Sequence, residues 1–465
     1  MSSSYAEHRL SVEKHKLLYH LQKGDTCALL GCPGTGKTTL AAQVVFRLEC
    51  VDGLRVVVAG STGAAVQPIG DKMRARGLDV DVQTVHSLLQ FDPPTTRMVE
   101  AGMFEKVQKR TSANAASGSP LRGADVLVIE EISMLTGNFL RAVDVCTRVL
   151  RRKPAIKFGG LALLLVGDFR QLPPVCQGKD LLFQHASWNK WVDVISNLDA
   201  IVRQAGDSPL KDIVLSMSHN RLTPDQIALM HTRVVPRGES LAFSPDYLPQ
   251  AMRVFDLNSH VNQYNQRVAE KAMQSGTEHK KLSGRWSEPV APREQQPPTE
   301  RMFSPVLFLG AKVVLTSNVD VGTGLANGTS CTVTGFPGAP REPGDAASKA
   351  RKTGCPCFGF RVSVETVGKE TVEIGCHPLF MNGQRYHHIP LRLAHACTVH
   401  KLQGLTSNGP LFYMSSKRTG GKAPALYVVC SRATRLDLLH FAHLPSDLSR
   451  TVDPAVVKWY RTLAD

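Results

Sequence analysis

Gly31-Cys32-Pro33-Gly34-Thr35-Gly36-Lys37-Thr38-Thr39 lies between an apolar run, Thr26 to Leu30, and an amphipathic segment, Leu40 to Leu48. The pattern G-x-x-x-x-G-K-[ST] is met by Gly31, Gly36, Lys37 and Thr38. Its flanks predict a buried strand before it and a helix after it, the context a phosphate-binding loop requires. Glycines let the backbone bend so that successive N–H groups point inward, the helix N-terminus adds its positive end, and no side chain blocks the phosphates. Lys37 then reaches the β and γ phosphates of a nucleotide, and the Thr38 hydroxyl ligates Mg²⁺. The alternative is a Gly-rich turn before a helix.

Working outward, Leu10, Leu17, Leu18 and Leu21 form a helical stripe that ends at Lys23-Gly24-Asp25 and leads into the first strand. Arg55 to Ala59 reads as a second buried strand, with Gly60 to Ala65 directly behind its carboxyl end. Thr84 to Leu89 places small polar side chains and an imidazole at a helix start. Asp125 to Ile129 is an apolar strand delivering Glu130-Glu131, and a helix, Phe139 to Arg151, follows. Leu161 to Val166 is another buried strand, ending in Gly167-Asp168-Phe169-Arg170-Gln171-Leu172-Pro173-Pro174-Val175. Strands that alternate with helices and present polar residues at their carboxyl ends predict an α/β, doubly wound parallel sheet with right-handed crossovers and a nucleotide along that edge. Phe91 to Gly123, with Pro93-Pro94 at one end and the basic stretch from Lys109 at the other, reads as an inserted, partly mobile excursion.

A second unit begins near Asp199. It holds a strand at Met252 to Leu257, a helix start at Asn258 to Asn265, and a Pro-rich linker, Gly284 to Pro305. Ala311 to Thr316, Cys331 to Phe336 and Phe360 to Val364 alternate like short antiparallel strands and suggest a small β-barrel. Its hairpin loop, Pro337 to Thr353, has a disordered composition, and Leu391 to Asp465 returns to the α/β pattern.

At 465 residues the chain is too long for one core. Fifty-five Lys and Arg against 40 acidic residues give a net charge of +15, spread along the chain, which points to a polyanionic partner, nucleic acid first. No run approaches the ~18 apolar residues of a membrane span, and the polar start MSSSYAEHRLSVEKHK lacks the apolar core of a signal peptide. These features argue for an intracellular protein. Eleven cysteines, an odd number, read as reduced thiols. Cys331, Cys355-Pro-Cys357 and Cys376-His377 are near enough in sequence to seat a zinc ion, although the paired C-x₂-C form is missing.

The ordered set of motifs resembles the superfamily-one helicases of the Pif/RecD-like group, most closely the Pif branch. The matching stretches run over nearly the whole chain: GCPGTGKTT, AGSTGAAVQPIG from Ala59, TVHSLL from Thr84, VLVIEEISML from Val126, FGGLALLLVGDFRQLPPV from Phe158, VRQ from Val202, LNSHVNQYN from Leu257, GAKVVLTSNV from Gly310, ANGTSCTVTGF from Ala326, ACTVHKLQGLT from Ala396 and YVVCSRATR from Tyr427. The resemblance implies two RecA-like parallel-sheet motor domains, residues 1–198 and residues 199–310 with 389–465. A wedge-like insertion at about 91–123 and an SH3-like β domain at 311–388 complete it. It also implies a monomeric ATP- and Mg²⁺-dependent motor that moves 5′ to 3′ on single-stranded DNA and unwinds duplex or forked DNA in replication, repair or recombination. Such a motor works in the nucleus or another compartment where DNA is kept.

Roles follow by motif position. Gly31, Cys32, Pro33, Gly34, Thr35, Gly36, Lys37, Thr38, Thr39 and Gly404 surround the nucleotide, and Thr38 and Glu130 face the metal. Glu131 orients and deprotonates the attacking water, and Gln171 senses the γ-phosphate. Arg203 and Arg432 act from the second domain as arginine fingers when the domains close. Thr62, His86, Thr398, His400 and Lys401 match strand-contacting positions. For His86 and His400 the alternative is a histidine filling a polar pocket under the sheet. Phe91 and Phe169 are left between base stacking and the core.

Two departures stand out. Glu130 replaces the usual Asp, and its added methylene moves the metal-facing carboxylate outward; Lys14 stands where the family tends to carry an adenine-reading Gln. Two rivals follow: a nucleotide-gated DNA-binding clamp with little turnover, motivated by Glu130, and a motor whose track is RNA or an RNA–DNA hybrid, since backbone contacts do not distinguish the tracks.

Overall fold

The architecture is given by a computed structural model, which describes residues 3–463 except 79, 81, 92, 115–118, 175–180, 204–206, 283–284, 287–305, 318, 321–324, 326, 338–360, 367, 369, 382–383 and 417–422. The expected linker and hairpin loop fall almost wholly outside the described residues, as do Cys355 and Cys357.

The apolar runs of the first unit become strands because both of their faces find cover. β1 (Thr26–Gly31), β2 (Val56–Gly60), β3 (Val82–Thr84), β4 (Val126–Glu130), β5 (Ala162–Gly167) and β6 (Val194–Leu198) form one sheet in the order β3-β2-β4-β5-β1-β6. All its pairs are parallel. Every residue of β1, β2, β4 and β5 is buried, as expected of a parallel sheet with helices on both sides. Successive residues alternate between faces. Cys27, Leu29, Val126 and Val128 face the helices Ser3–Gln22, Lys37–Cys50 and Gly63–Arg74, while Ala28, Leu30, Leu127 and Ile129 face Gly137–Leu150.

The stretch expected as an inserted, partly mobile excursion holds two helices. Pro93–Glu100 and Phe104–Asn114 are helices, with Val99 and Val107 buried in the core and Arg141 over the Phe104 ring at 4.3 Å. Pro93 and Pro94 occupy a first helical turn, where the missing N–H costs nothing. Residues 115–118, in its basic half, are not described.

In the second unit, β7 (Met252–Phe255) is followed by the helix Asn258–Gln274 and by short strands β8 (His279–Lys281), β9 (Arg285–Trp286) and β10 (Val306–Phe308). Then come β11 (Lys312–Leu315), β12 (Ser330–Gly335), β13 (Val362–Thr366), β14 (Thr371–Ile374), β15 (His377–Met381), β16 (Gln384–His388) and β17 (Leu391–Leu393). β18 (Ala396–Thr398), β19 (Leu411–Met414) and β20 (Leu439–Phe441) return to β7 in a parallel sheet of order β18-β7-β19-β20. The intervening segment builds a five-stranded antiparallel sheet, β14-β13-β12-β11-β17, with β14 and β17 at its edges among the described residues.

One core runs from the lower face of the first sheet into the second unit. Leu127, Ile129, Leu163 and Leu165 share it with Ile213, Val254, Leu402, Tyr413 and Val428. The helix Pro454–Arg461 closes this junction: Trp459 stacks on Phe183 with ring centroids 4.4 Å apart and meets Phe169 edge-on at 5.6 Å. Phe169 is therefore a core residue, 3% exposed.

Candidate active site and strand-facing cleft

β1 ends at Gly31 and the next helix begins at Lys37, so the nine-residue motif wraps the carboxyl edge of the sheet. Glycine is required at position 31: with φ at +150°, an added Cβ would lie 2.4 Å from the Leu198 carbonyl oxygen and 2.9 Å from Thr35 Oγ1. Thr35 is buried and closes the loop, its Oγ1 donating to the Cys32 carbonyl at 2.9 Å. Lys37 Nζ donates to the Gly31 and Cys32 carbonyls at 2.7 and 2.9 Å, so the ammonium is held at the mouth of the loop by the loop's own oxygens. Burial lowers its pKa, opposed by Asp168 and Glu131. Pro33, Gly34, Gly36, Thr38 and Thr39 line the cleft beside it, while Gly31, Cys32 and Thr35 form the loop's inner wall.

Glu130 closes β4 and is 3% exposed. Burial, then the neighbouring Glu131 carboxylate, pushes its carboxyl up to about 8, against a hydrogen bond with Thr38. Its Oε1 has no hydrogen-bond partner among the described residues. Glu131 takes a left-handed backbone, φ 55° and ψ 52°, which turns the chain out of the sheet and points successive carboxylates to different places. The reversal passes close to β5: a Cβ on Gly167 would meet the Ile132 backbone nitrogen at 2.9 Å.

The second unit supplies the opposing charge. Arg432, at the end of the helix Ala423–Arg432, donates from Nη2 to Gln171 Oε1. Burial lowers its pKa, and Glu131 is the first group opposing the change. Arg203 Nη1 donates to the Ser431 carbonyl at 2.9 Å, and burial, then Arg432, brings its guanidinium down to about 10. Arg203 does not reach in from the far wall as expected. The backbone nitrogens of Val202 and Arg203 bond to the Gly34 carbonyl at 2.7 and 3.1 Å, so the segment leaving β6 is fastened to the phosphate loop itself. Gly404, at φ +86°, lines the same cleft as these arginines.

Several participants escaped the sequence reading. Asp168 is fully buried, accepts from the hydroxyls of Tyr427 and Tyr460 at 3.1 Å each, and pairs with Arg170 Nη1 at 3.3 Å. Arg170 also reaches Cys32 Sγ at 3.3 Å and lies 3.5 Å over the Tyr460 ring. Gln403 Nε2 donates to Glu131 Oε2 at 3.2 Å and Ser133 Oγ at 2.9 Å. Asp168, Arg170, Tyr427 and Gln403 sit inside the quoted motifs, so their stretches were visible although their roles were not; Tyr460 carries no motif.

Of the residues expected to contact a strand, Thr62, His400 and Lys401 line the same cleft of about 1240 Å³ as the phosphate loop. Thr62 caps the helix Gly63–Arg74 by accepting from the Ala65 backbone at 3.2 Å. Thr398 is buried at the end of β18 and His86 lies elsewhere, its ring 4.6 Å from Phe139 and 6.5 Å from Phe91. Burial lowers the His86 pKa, opposed by Glu100, and the imidazole is half-buried beside these rings. Arg392 on β17, not singled out from the sequence, lines the cleft and helps burial bring Lys401 down to about 8. Among the described residues no group of three or more His, Cys, Asp or Glu could hold a metal ion; Cys331 is buried in β12.

These features define a phosphate-loop α/β protein in which two parallel-sheet units contribute to one nucleotide cleft. A sequence profile described as AAA domain matches residues 17–177. The chain is 27% identical to the ATP-dependent DNA helicase PIF1 of Homo sapiens over 98% of its length, and 24% identical to ATP-dependent DNA helicase Pif1 of Bdellovibrio bacteriovorus, also over 98%. It spans 64% of the human relative and 92% of the bacterial one. Its fold matches the Pif1 helicase of Candida albicans at a TM-score of 0.74, with 23% identity and 97% and 98% of the two chains covered. Bacteroides Pif1 bound to ssDNA follows at 0.66, with 19% identity and 97% and 96% covered. The chain is thus a homologue of the Pif-type helicases, as its motifs implied.

Proposed function

We propose that this chain is an ATP-driven helicase that moves 5′ to 3′ along single-stranded DNA and unwinds duplex or forked DNA in replication, repair or recombination, wherever DNA is kept. The observation that carries the reading is the single cleft on which Lys37, Glu131, Gln171, Arg203 and Arg432 share a wall system with His400, Lys401 and Arg392. The names of the relatives, and a neighbour described in complex with ADP-AlF3 and ssDNA, support nucleotide turnover on a DNA track. The direction rests on the motif resemblance. The parallel sheets are read as RecA-like motor domains, 1–198 and 199–310 with 389–465, and the antiparallel sheet as the SH3-like insert, 311–388.

Phosphoryl transfer leaves little covalent work to a protein, so position and charge carry it. A γ-phosphate replaces the Gly31 and Cys32 carbonyls as partner of Lys37. Glu131 takes the proton of the attacking water. Arg203 and Arg432 neutralise the charge that develops, and Gln171, bonded to Arg432, registers whether a γ-phosphate is present. Thr38 and Glu130 suit Mg²⁺: both offer oxygen, and the unpartnered Glu130 Oε1 is the kind of donor a hard cation satisfies. When bound, Mg²⁺ supplies neutralisation of the phosphate oxygens.

Strand displacement from duplexes tailed at the 5′ or the 3′ end tests the reading. ATP-dependent release from 5′-tailed and forked DNA, and not from 3′-tailed DNA, is expected. Release from 3′ tails alone would overturn the direction. ATP and DNA binding without release from any substrate would make the chain the nucleotide-gated clamp.

A further inference from the structure

Gln403 connects two places that the proposed cycle must keep in step. It follows directly on the short helix Val399–Leu402, which carries His400 and Lys401 into the strand-facing part of the cleft. Its backbone nitrogen bonds back to the Val399 carbonyl at 3.1 Å, so it moves with that turn. Its side chain crosses to the first unit, where Nε2 donates to Glu131 Oε2 at 3.2 Å and to Ser133 Oγ at 2.9 Å. Only 3% of the residue is exposed, and Oε1 has no hydrogen-bond partner among the described residues. Glu131 and Ser133 therefore fix the amide with no second anchor. Gly404 follows at φ +86°, a backbone that a side chain rarely adopts, so the turn behind the amide has one favoured shape.

We infer that Gln403 is a positioning residue that transmits strand binding at Lys401 to the water-activating carboxylate Glu131. The inference rests on the motor reading and deepens it. A phosphate drawn to Lys401 shifts the turn 399–402, the amide travels with it, and the Glu131 carboxylate is turned into or out of line with the γ-phosphate. The reach is short. A misplacement of ~1 Å at such a carboxylate costs about a hundredfold in rate, so a small movement of the turn is enough to throttle hydrolysis.

The test compares ATP hydrolysis with and without a saturating poly-dT strand for wild type, Gln403→Leu and Gln403→Glu, together with KM for ATP, Kd for the strand and the thermal unfolding curve. Gln403→Leu should keep KM and Kd within about threefold, while kcat with DNA falls about 10- to 100-fold, within the range that misplacement allows. The ratio of stimulated to basal rate should then collapse towards one. Gln403→Glu keeps the shape but loses the amide donor and sets a second carboxylate against Glu131, so its stimulation ratio should also collapse while KM and Kd stay within about threefold. A Gln403→Leu protein that retains the wild-type stimulation ratio overturns the inference. So does a Gln403→Glu protein that retains it, and this second variant decides the matter if the leucine variant does not fold. A wild type that DNA does not stimulate sinks the motor reading, and the inference with it.

Discussion

Tyr460, in the helix Pro454–Arg461, donates a hydrogen bond from its hydroxyl to Asp168, 292 positions earlier, at 3.1 Å. Tyr427 donates to the other oxygen of the same carboxylate, and Arg170 completes the cluster while touching Cys32 of the phosphate loop. Nucleotide loop, first sheet and second unit therefore meet at one fully buried carboxylate. Removing one hydroxyl costs little; removing the carboxylate strands a buried guanidinium. Tyr460→Phe should lose about 1–2 kcal/mol of stability, and Asp168→Ala about 3–5 kcal/mol. Equilibrium unfolding in urea checks the order, and equal losses from the two variants would show that Asp168 is not the shared anchor.

Under the proposed function, Lys401 should make strand binding depend on pH. Lys401 is exposed along its length, yet partial burial of its ammonium in the cleft and the nearby Arg392 bring it down to about 8, whereas a phosphate beside it favours the charged form. Below pH 8 the free protein already carries the charge, so affinity is flat. Above it, binding must take up a proton, and affinity falls by up to about tenfold per pH unit for this one group. Anisotropy titrations of a labelled strand from pH 7 to 9.5 should show the fall in wild type and lose it in Lys401→Arg.

Arg392 should act as a phosphate contact of the ordinary kind. Arg392→Ala is expected to weaken all strand sequences alike and to reduce the slope of log K against log salt by about 0.7, one phosphate's share on a single strand. A loss confined to particular bases, or an unchanged slope, would place Arg392 off the track.

Glu130 stands where the motif resemblance places a metal-facing Asp. It is buried, bonded to Thr38 and followed by a residue in the left-handed region, so the backbone has little freedom to absorb the extra methylene. Glu130→Asp should raise kcat by about tenfold, the lower part of what ~1 Å of misplacement costs. Steady-state kinetics would show the opposite, a slower enzyme, if the site is built around the longer side chain.

What could be read from the sequence was what lies close together along it. The phosphate loop, the strands that deliver Glu130 and Gln171, and the return to an α/β pattern after Leu391 are local patterns, and the first and second sheets form where they were expected. Pro93-Pro94 misled because proline breaks a helix anywhere but its first turn, which is where it stands. Gln403 and Glu131 are 272 positions apart, and nothing in either stretch announces the other. Arg203 was assigned to the far wall because its motif opens the second unit, yet its backbone bonds to Gly34. Tyr460 was invisible for a different reason: its helix reads as an ordinary amphipathic segment, and only the packing of Trp459 on Phe183 brings it to Asp168.

The most direct measurement is the rate of ATP hydrolysis by wild type and Lys37→Ala, each with and without single-stranded DNA. The shared cleft predicts a wild-type rate that rises at least tenfold with DNA, and a Lys37→Ala rate near background in both conditions, because the Lys37 ammonium, held at the mouth of the loop by the Gly31 carbonyl, is the charge the proposed mechanism sets against the γ-phosphate. A wild type that binds both ligands but hydrolyses no faster than Lys37→Ala would contradict the motor and leave a nucleotide-switched clamp.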